Sequence, residues 1–430
     1  MTSEHLIFEG HDTVELARKF GTPLYVMSEN RIERAINEIK HAFEKNNLEY
    51  DINYAGKAFI NIAMCKIAKK MGICLDVVSG GELYTALQAG FDPKHITMHG
   101  SNKSHDEIRF AIESGVGVLT IDSLGEILLV DQIAKELGAV QDVHLRLSPG
   151  VEAHTHEYIQ TGRIDSKFGI PISMGTRAAK MAIDAKNLNL VGLHCHIGSQ
   201  IYSAKPFEIA ANAMLEMVYN IKEMGVEIQE LNLGGGFGIN YLQDDTVFSV
   251  DDYITTLAQT LHKQCKLLGI KIPRIRVEPG RYIVGPAGIT LYTIGTIKEI
   301  PFLRKYVSVD GGMADNPRPA LYNAVHHAVV ANKFDREPND LVTVSGKCCE
   351  TDTLIKDILL PKCESGDILA VFNTGAYNYS MASHYNRLCK PSVVLLHDDE
   401  AEVIVKRDTY EILTINDVVP SWLEDETNNE

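Results

Sequence analysis

DINYAGKAFINIAMCKIAKKMGICLDVVSGGELYTALQAG, residues 51–90, decides the fold. DINYAGK (51–57) and CLDVVSG (74–80) are short strand-like runs that end in polar residues or glycine. Between them Phe59, Ile62, Ala63, Ile67 and Met71 recur at helical spacing. Leu83, Ala86 and Leu87 do the same after the second run, with Gly90 placed as a helix C-cap. Upstream, Ile32, Ala35, Ile36, Ile39 and Phe43 form another helical stripe. Downstream the strand-like runs continue as HITMHG (95–100), VGVLTID (116–122), DVHLRLSPG (142–150), LVGLHCHIGS (190–199), ELNLGGGFG (230–238) and RIRVEPGR (274–281). Strands alternating with helices pair in parallel. Eight such units predict a closed (β/α)8 barrel of the TIM type, with an open doubly wound sheet as the alternative. In such a barrel the chemistry sits at the C-terminal strand ends. There this chain places Lys57, Asp76, Ser79, Arg146, His196, Ser199, Gly234–Gly236, Glu278 and Arg281.

Beyond residue 285 the texture changes to short β-branched runs: ITLYTIGTIKEI, YVSVDGG, DLVTVSG, DILAVFNTG, SVVLLHDDEAEVIVKR and YEILTIND. HDDE reads as a hairpin turn. The expected organisation is a barrel over 31–285, an all-β domain from 286–422 that takes in an N-terminal strand from residues 1–30, and an acidic tail over 423–430.

The whole chain of 430 residues has 41 Lys+Arg against 57 Asp+Glu, a net charge of −16. That acidity disfavours a broad nucleic-acid surface. No apolar run approaches the length of a membrane span, and the first ten residues do not read as a secretory signal. The 8 cysteines are scattered with no CxxC pair, as expected of reduced thiols in a cytoplasmic protein.

Single residues leave alternatives open. Lys57 at a strand end is either a solvated surface lysine or, in a desolvated mouth, a Schiff-base lysine. Gly234, Gly235 and Gly236 make either a tight barrel turn or a backbone cradle for an anion. The P-loop and dinucleotide fingerprints are both missing around them. Glu278, in EPGR, needs a partner: Arg281 is one, a protonated pyridine nitrogen another. His194 and His196 share a face if the strand continues, which suits either zinc or, for His196, stacking on an aromatic cofactor. Ser199 can donate to a phosphate. His154 and His156 read as solvated loop histidines. Together, a lysine, a glutamate, a stackable histidine and a glycine cradle at one mouth match the needs of pyridoxal 5'-phosphate.

The segments YAGKA (54–58), DVVSGGEL (76–83), SKFGI (166–170), HCHIGSQ (194–200), LNLGGGFG, VEPGR, VDGGMADNPRPALY (309–322), CETD (349–352) and GAYNYSMASHYN (375–386) carry a closer likeness. On these motifs the chain resembles the fold-type III decarboxylases that depend on pyridoxal phosphate. DGGMADNPRPALY and GAYNYSMASHYN are shared with the diaminopimelate branch. The resemblance implies decarboxylation of meso-2,6-diaminopimelate to L-lysine and CO2, the last step of lysine biosynthesis. Relatives that act on ornithine, arginine or a carboxylated polyamine are the alternative, and a non-catalytic regulator built on the same barrel is another.

The resemblance also implies roles. Lys57 bonds to the cofactor, His196 stacks on its ring, and Glu278 pairs with its ring nitrogen. Ser199, Gly234, Gly235, Gly236 and the EPGR turn with Gly280 and Arg281 hold the phosphate. Arg281, Arg318, Tyr322, Glu350 and Tyr377 contact substrate, Tyr377 also lying near the cofactor. Cys349 donates a proton from the partner subunit of a homodimer. No resident metal is implied. Arg281 and Arg318 suit a distal carboxylate and Glu350 a distal ammonium. Two positions depart from the family pattern: Phe59 stands where asparagine is frequent, and CETDT places its second acid one position early. Cys348 beside Cys349 reads as a buried packing residue.

Overall fold

The computed structural model describes residues 4–151, 166–241 and 249–423. His154, His156 and the tail beyond Leu423 lie outside them. The predicted strands all form: β1 (Tyr50–Ala55), β2 (Cys74–Val77), β3 (Ile96–Met98), β4 (Val118–Ile121), β5 (Gln141–Ser148), β6 (Leu188–His194), β7 (Glu230–Asn232) and β8 (Arg274–Val277). Each pairs in parallel with the next, and β8 returns to β1 through Ile275–Tyr50, Arg276–Asp51 and Val277–Ile52. The sheet is therefore the closed barrel, not the open alternative. Its core is one continuous apolar cluster joining strands and surrounding helices.

Small polar residues start several of the barrel helices. The side chains of Asn61, Ser79 and Ser123 each take a backbone N–H of the first turn, and Ser104 forms a full capping box with Glu107. Ser79, at the end of a strand-like run, thus has a structural task. Gly90, with φ of +70°, follows the helix Gly80–Gln88 and donates its N–H to the Leu87 carbonyl.

The second sheet is built on the long strand Gly288–Ile300. Its first residues pair antiparallel with Leu24–Ser28 and Ile368–Phe372, and its last with Arg304–Val309. Ser392–His397 and Glu400–Val405 form the hairpin expected around HDDE. Two apolar clusters lie in this part, one of which takes in the helix Thr13–Phe20. YEILTIND departs from expectation: Tyr410–Thr414 is a short helix, not a strand. The Leu413 carbonyl in its last turn accepts from Arg387, which satisfies a group a helix end leaves open. Among the described residues no helix is long and apolar enough to cross a membrane.

A loop after the strand Ile368–Phe372 ties the second sheet to the barrel mouth. Tyr377 donates its N–H to the Ala58 carbonyl at 2.8 Å, and the Ser380 hydroxyl reaches the same oxygen at 3.0 Å. A Cβ on Gly375 would stand 1.8 Å from the Val284 carbonyl oxygen, so only glycine permits this contact.

Candidate active site

At the C-terminal end of the barrel a cavity of about 320 Å3 is lined by Lys57, His196, Ser199, Gly236, Glu278, Gly280, Arg281, Arg318, Tyr322 and Tyr377, together with Phe168. Lys57 sits in the turn Gly56–Ala58 directly after β1 and is exposed toward this space. Gly234 and Gly235 stand behind the wall. Cys349 and Glu350 are not in the cavity of their own chain; both are exposed elsewhere.

Glu278 is deeply buried, and Arg281 is not its partner. Its Oε1 accepts from Asn232 Nδ2 at 2.6 Å and lies 2.8 Å from His99 Nε2. Its Oε2 meets His194 Nε2 at 3.1 Å. Burial alone would raise this carboxyl, but His99 and His194 outweigh it and hold Glu278 well below the usual carboxylate range. The same burial keeps His194 neutral, down at about 3. The strand ends at His194, so His194 turns to Glu278 while His196 faces the cavity, and the two do not form a zinc pair. The described residues contain one group with metal-like spacing, His99, His194 and Glu278, and these donors already serve one another.

His196 is held neutral by burial first and then by the charges of Lys57 and Arg146. Its Nδ1 accepts from Gly235 N–H at 3.2 Å, which leaves the proton on Nε2 and the ring flat and uncharged. The glycine loop is pressed between neighbours. A Cβ on Gly235 would be 2.1 Å from the Glu278 carbonyl oxygen, and one on Gly236 2.5 Å from that of Gly198.

Two arginines complete the wall. Arg281, 6% exposed, donates to Ser199 Oγ at 3.1 Å and to Tyr241 Oη at 2.7 Å. Arg318, 7% exposed, opens the helix Arg318–Tyr322. Their guanidiniums lie 4.8 and 5.6 Å from the ring centroid of Tyr377. No carboxylate among the described residues pairs with either one, and Arg318 Nε is buried without a partner.

Sequence reading missed His99, Asn232 and Tyr241. His99 follows β3 directly, so its strand-end position was the available signal. Asn232 ends β7, the run that carries the glycines. Tyr241 carries no signal of its own.

These residues fit pyridoxal phosphate. A carboxylate has about four lone-pair sites. Hydrogen bonds to Asn232 and His194, with the His99 imidazole alongside, leave Glu278 room for a ring N–H in the cavity. A flat neutral imidazole, an accessible lysine and an uncompensated pair of arginines suit the ring, the aldehyde and the anionic groups. The fold and this mouth therefore define a barrel enzyme of the pyridoxal-phosphate class.

A family model described as "Pyridoxal-dependent decarboxylase, pyridoxal binding domain" matches residues 29–285. The chain is 49% identical to a diaminopimelate decarboxylase of Staphylococcus aureus, over 96% of this chain and 97% of that one. It is 46% identical to the Bacillus subtilis protein of that name, over 95% and 94%. A crystal structure of diaminopimelate decarboxylase from M. jannaschii in complex with L-lysine superimposes with a TM-score of 0.92, at 38% identity over 98% of both chains. The chain belongs to the diaminopimelate decarboxylase family, and is a carboxy-lyase that depends on pyridoxal phosphate.

Proposed function

We infer that this chain converts meso-2,6-diaminopimelate to L-lysine and CO2 as a cytoplasmic homodimer. The observation that carries this reading is the pair of buried arginines, Arg281 and Arg318, in one cavity with Lys57 and with no carboxylate of the described chain to neutralise them. Uncompensated buried cations call for anionic ligands. A cofactor phosphate and a substrate with a carboxylate at each end supply them, whereas a simple diamine precursor has only a distal cation to offer. The free state of all eight cysteines supports a reducing compartment.

Pyridoxal phosphate, when bound, supplies the electron sink that makes loss of CO2 from an amino acid feasible. The protein does the rest. Lys57 Nζ would hold the cofactor covalently. His196 lies against the ring, and Glu278, ionised by its donors, keeps a proton on the ring nitrogen. Ser199, Gly234–Gly236, Gly280 and Arg281 hold the phosphate. Arg318, Tyr322 and Tyr377 would bind the substrate and fix the direction of its departing carboxylate. Cys349 delivers a proton and Glu350 reads the distal ammonium, both from the partner subunit. Their exposed position outside their own cavity supports that division.

The decisive experiment is product analysis. Purified enzyme with added pyridoxal phosphate receives meso-, L,L- and D,D-diaminopimelate, ornithine and arginine in separate reactions. Lysine and CO2 from the meso isomer alone are expected. Decarboxylation of ornithine or arginine in its place overturns the reading of Arg318 and Glu350. No CO2 from any tube, with cofactor bound, favours a non-catalytic role.

A further inference from the structure

The single tryptophan of this chain stands near the end of an exposed apolar stretch, YEILTINDVVPSWL, residues 410–423. Trp422 is 82% exposed, Val418 87%, Tyr410 80% and Ile415 74%, with Val419 and Leu423 also mostly uncovered. Single exposed hydrophobics are ordinary, but a continuous strip marks an interaction surface. Each aromatic side chain covers roughly 150–250 Å2 when buried. With its aliphatic neighbours the strip offers an area on the order of the ~800 Å2 that one partner gives to a stable interface.

The strip is fixed to the surface that carries Cys349 and Glu350. Arg387 donates to the Leu413 carbonyl and pairs with Asp417 at 2.9 Å. The two preceding residues hold the cysteine loop: Asn386 Oδ1 accepts from Cys349 N–H at 2.7 Å, and Tyr385 Oη donates to Glu350 at 2.7 Å. Whatever surface receives Cys349 and Glu350 therefore lies next to the strip. The rim of the mouth has exposed apolar groups of its own, Leu321 and Val325, just beyond Arg318.

We propose that Tyr410–Leu423 is a clasp that packs on a second copy of this chain, beside the mouth to which Cys349 and Glu350 are delivered. The inference rests on the shared-site reading above. In a two-fold dimer each copy gives and receives one clasp, so the covered area is doubled. Tyrosine and tryptophan are the residues such interfaces favour.

The lone tryptophan makes the test direct. The holoenzyme is diluted through its dissociation range while sedimentation reports mass and iodide quenching reports access to Trp422. A dimer should show blue-shifted emission and several-fold weaker quenching than the dissociated chain. Trp422→Glu and Val418→Asp should each weaken self-association by roughly 1,000-fold, since the roughly 30-fold effect of one interface hot spot is lost at both clasps, with far-UV circular dichroism unchanged. A dimer whose tryptophan is quenched as freely as in the monomer overturns the clasp and leaves the shared site standing. Unchanged self-association in both variants does the same. A monomer at every concentration overturns the shared site, and the clasp with it.

Discussion

At the scale of single residues, the charge of Glu278 is set by neighbours that never enter the cavity. His99 and His194 both turn Nε2 toward this carboxylate, and their rings meet edge-on with centroids 4.7 Å apart. Taking a polar neighbour away from a buried charge costs about 1–3 kcal/mol. Replacing His99 by Phe should therefore weaken cofactor binding by roughly 10- to 100-fold. It should also reduce the visible absorbance of the lysine-bound cofactor, because the ring nitrogen loses part of its anionic partner. Titration of stripped protein with pyridoxal phosphate measures both; an affinity within about twofold of wild type removes His99 from this role. His99 was hard to read in advance because its partner is far away in sequence. Lys57 and Glu278 sit in motifs, but HITMHG means nothing chemically until barrel closure brings His99 to Glu278.

His326 gives a second prediction at this scale, on pH. Burial holds its imidazole at about 4; its bond to the Phe372 carbonyl opposes that shift, and Arg318 and Arg281 reinforce it. In an unfolded chain the same group titrates near 6.5. Between these values the unfolded state takes up a proton that the folded state refuses, so stability falls as pH falls through that window. The full effect is on the order of 3 kcal/mol. In His326→Phe the decline from pH 7 to 4.5 should become shallower by a comparable amount, whatever the variant's stability at pH 7. Urea midpoints at several pH values measure the slope. Parallel slopes for the two proteins would show that His326 is not a source of acid sensitivity.

At the scale of elements, the glycine loop after β7 and the helix Leu124–Glu136 make opposite predictions for one substitution. Gly235→Ala puts a methyl group 2.1 Å from the Glu278 carbonyl oxygen, and backbone cannot step aside as a flexible side chain can. Overpacking of this kind costs about 1–3 kcal/mol or more, and the displaced EPGR turn should lose its grip on the cofactor. Gly125, in the first turn of its helix, has open space where a Cβ would go. Gly125→Ala should be neutral or stabilising by up to about 1 kcal/mol. Thermal melts and cofactor retention on gel filtration distinguish the two; a stable, cofactor-loaded Gly235→Ala would mean that the loop can open at little cost. Sequence already marked the LGGGFG run, and it exposed the barrel strands, because period and punctuation are local properties. It misjudged YEILTIND, whose apolar residues suit either a strand or a helix until Arg387 closes the helix end. It assigned no structural task to Ser79, since a cap and a catalytic hydroxyl look the same at a strand end.

At the scale of the whole molecule, the residues proposed to complete the mouth do not line it in their own chain. Lys57 faces the cavity, whereas Cys349 and Glu350 are exposed and outside its lining. If the active site is shared, each defect can be supplied by the other subunit. Lys57→Ala removes the cofactor tether from its own mouth but leaves a sound cysteine to lend. Cys349→Ala keeps its tether but has nothing to lend. Either protein alone should be nearly inactive. Equal mixing with free exchange makes half the dimers hybrid, and each hybrid has one complete site out of two. Activity should therefore return to about a quarter of the wild-type value. Exchange is verified separately by mixing tagged and untagged chains and recovering both on one affinity column. Full exchange with no recovered activity would mean that Cys349 works within its own chain or not at all. The exposed cysteine loop would then have to fold back over its own mouth, a rearrangement that its bonds to Asn386 and Tyr385 oppose.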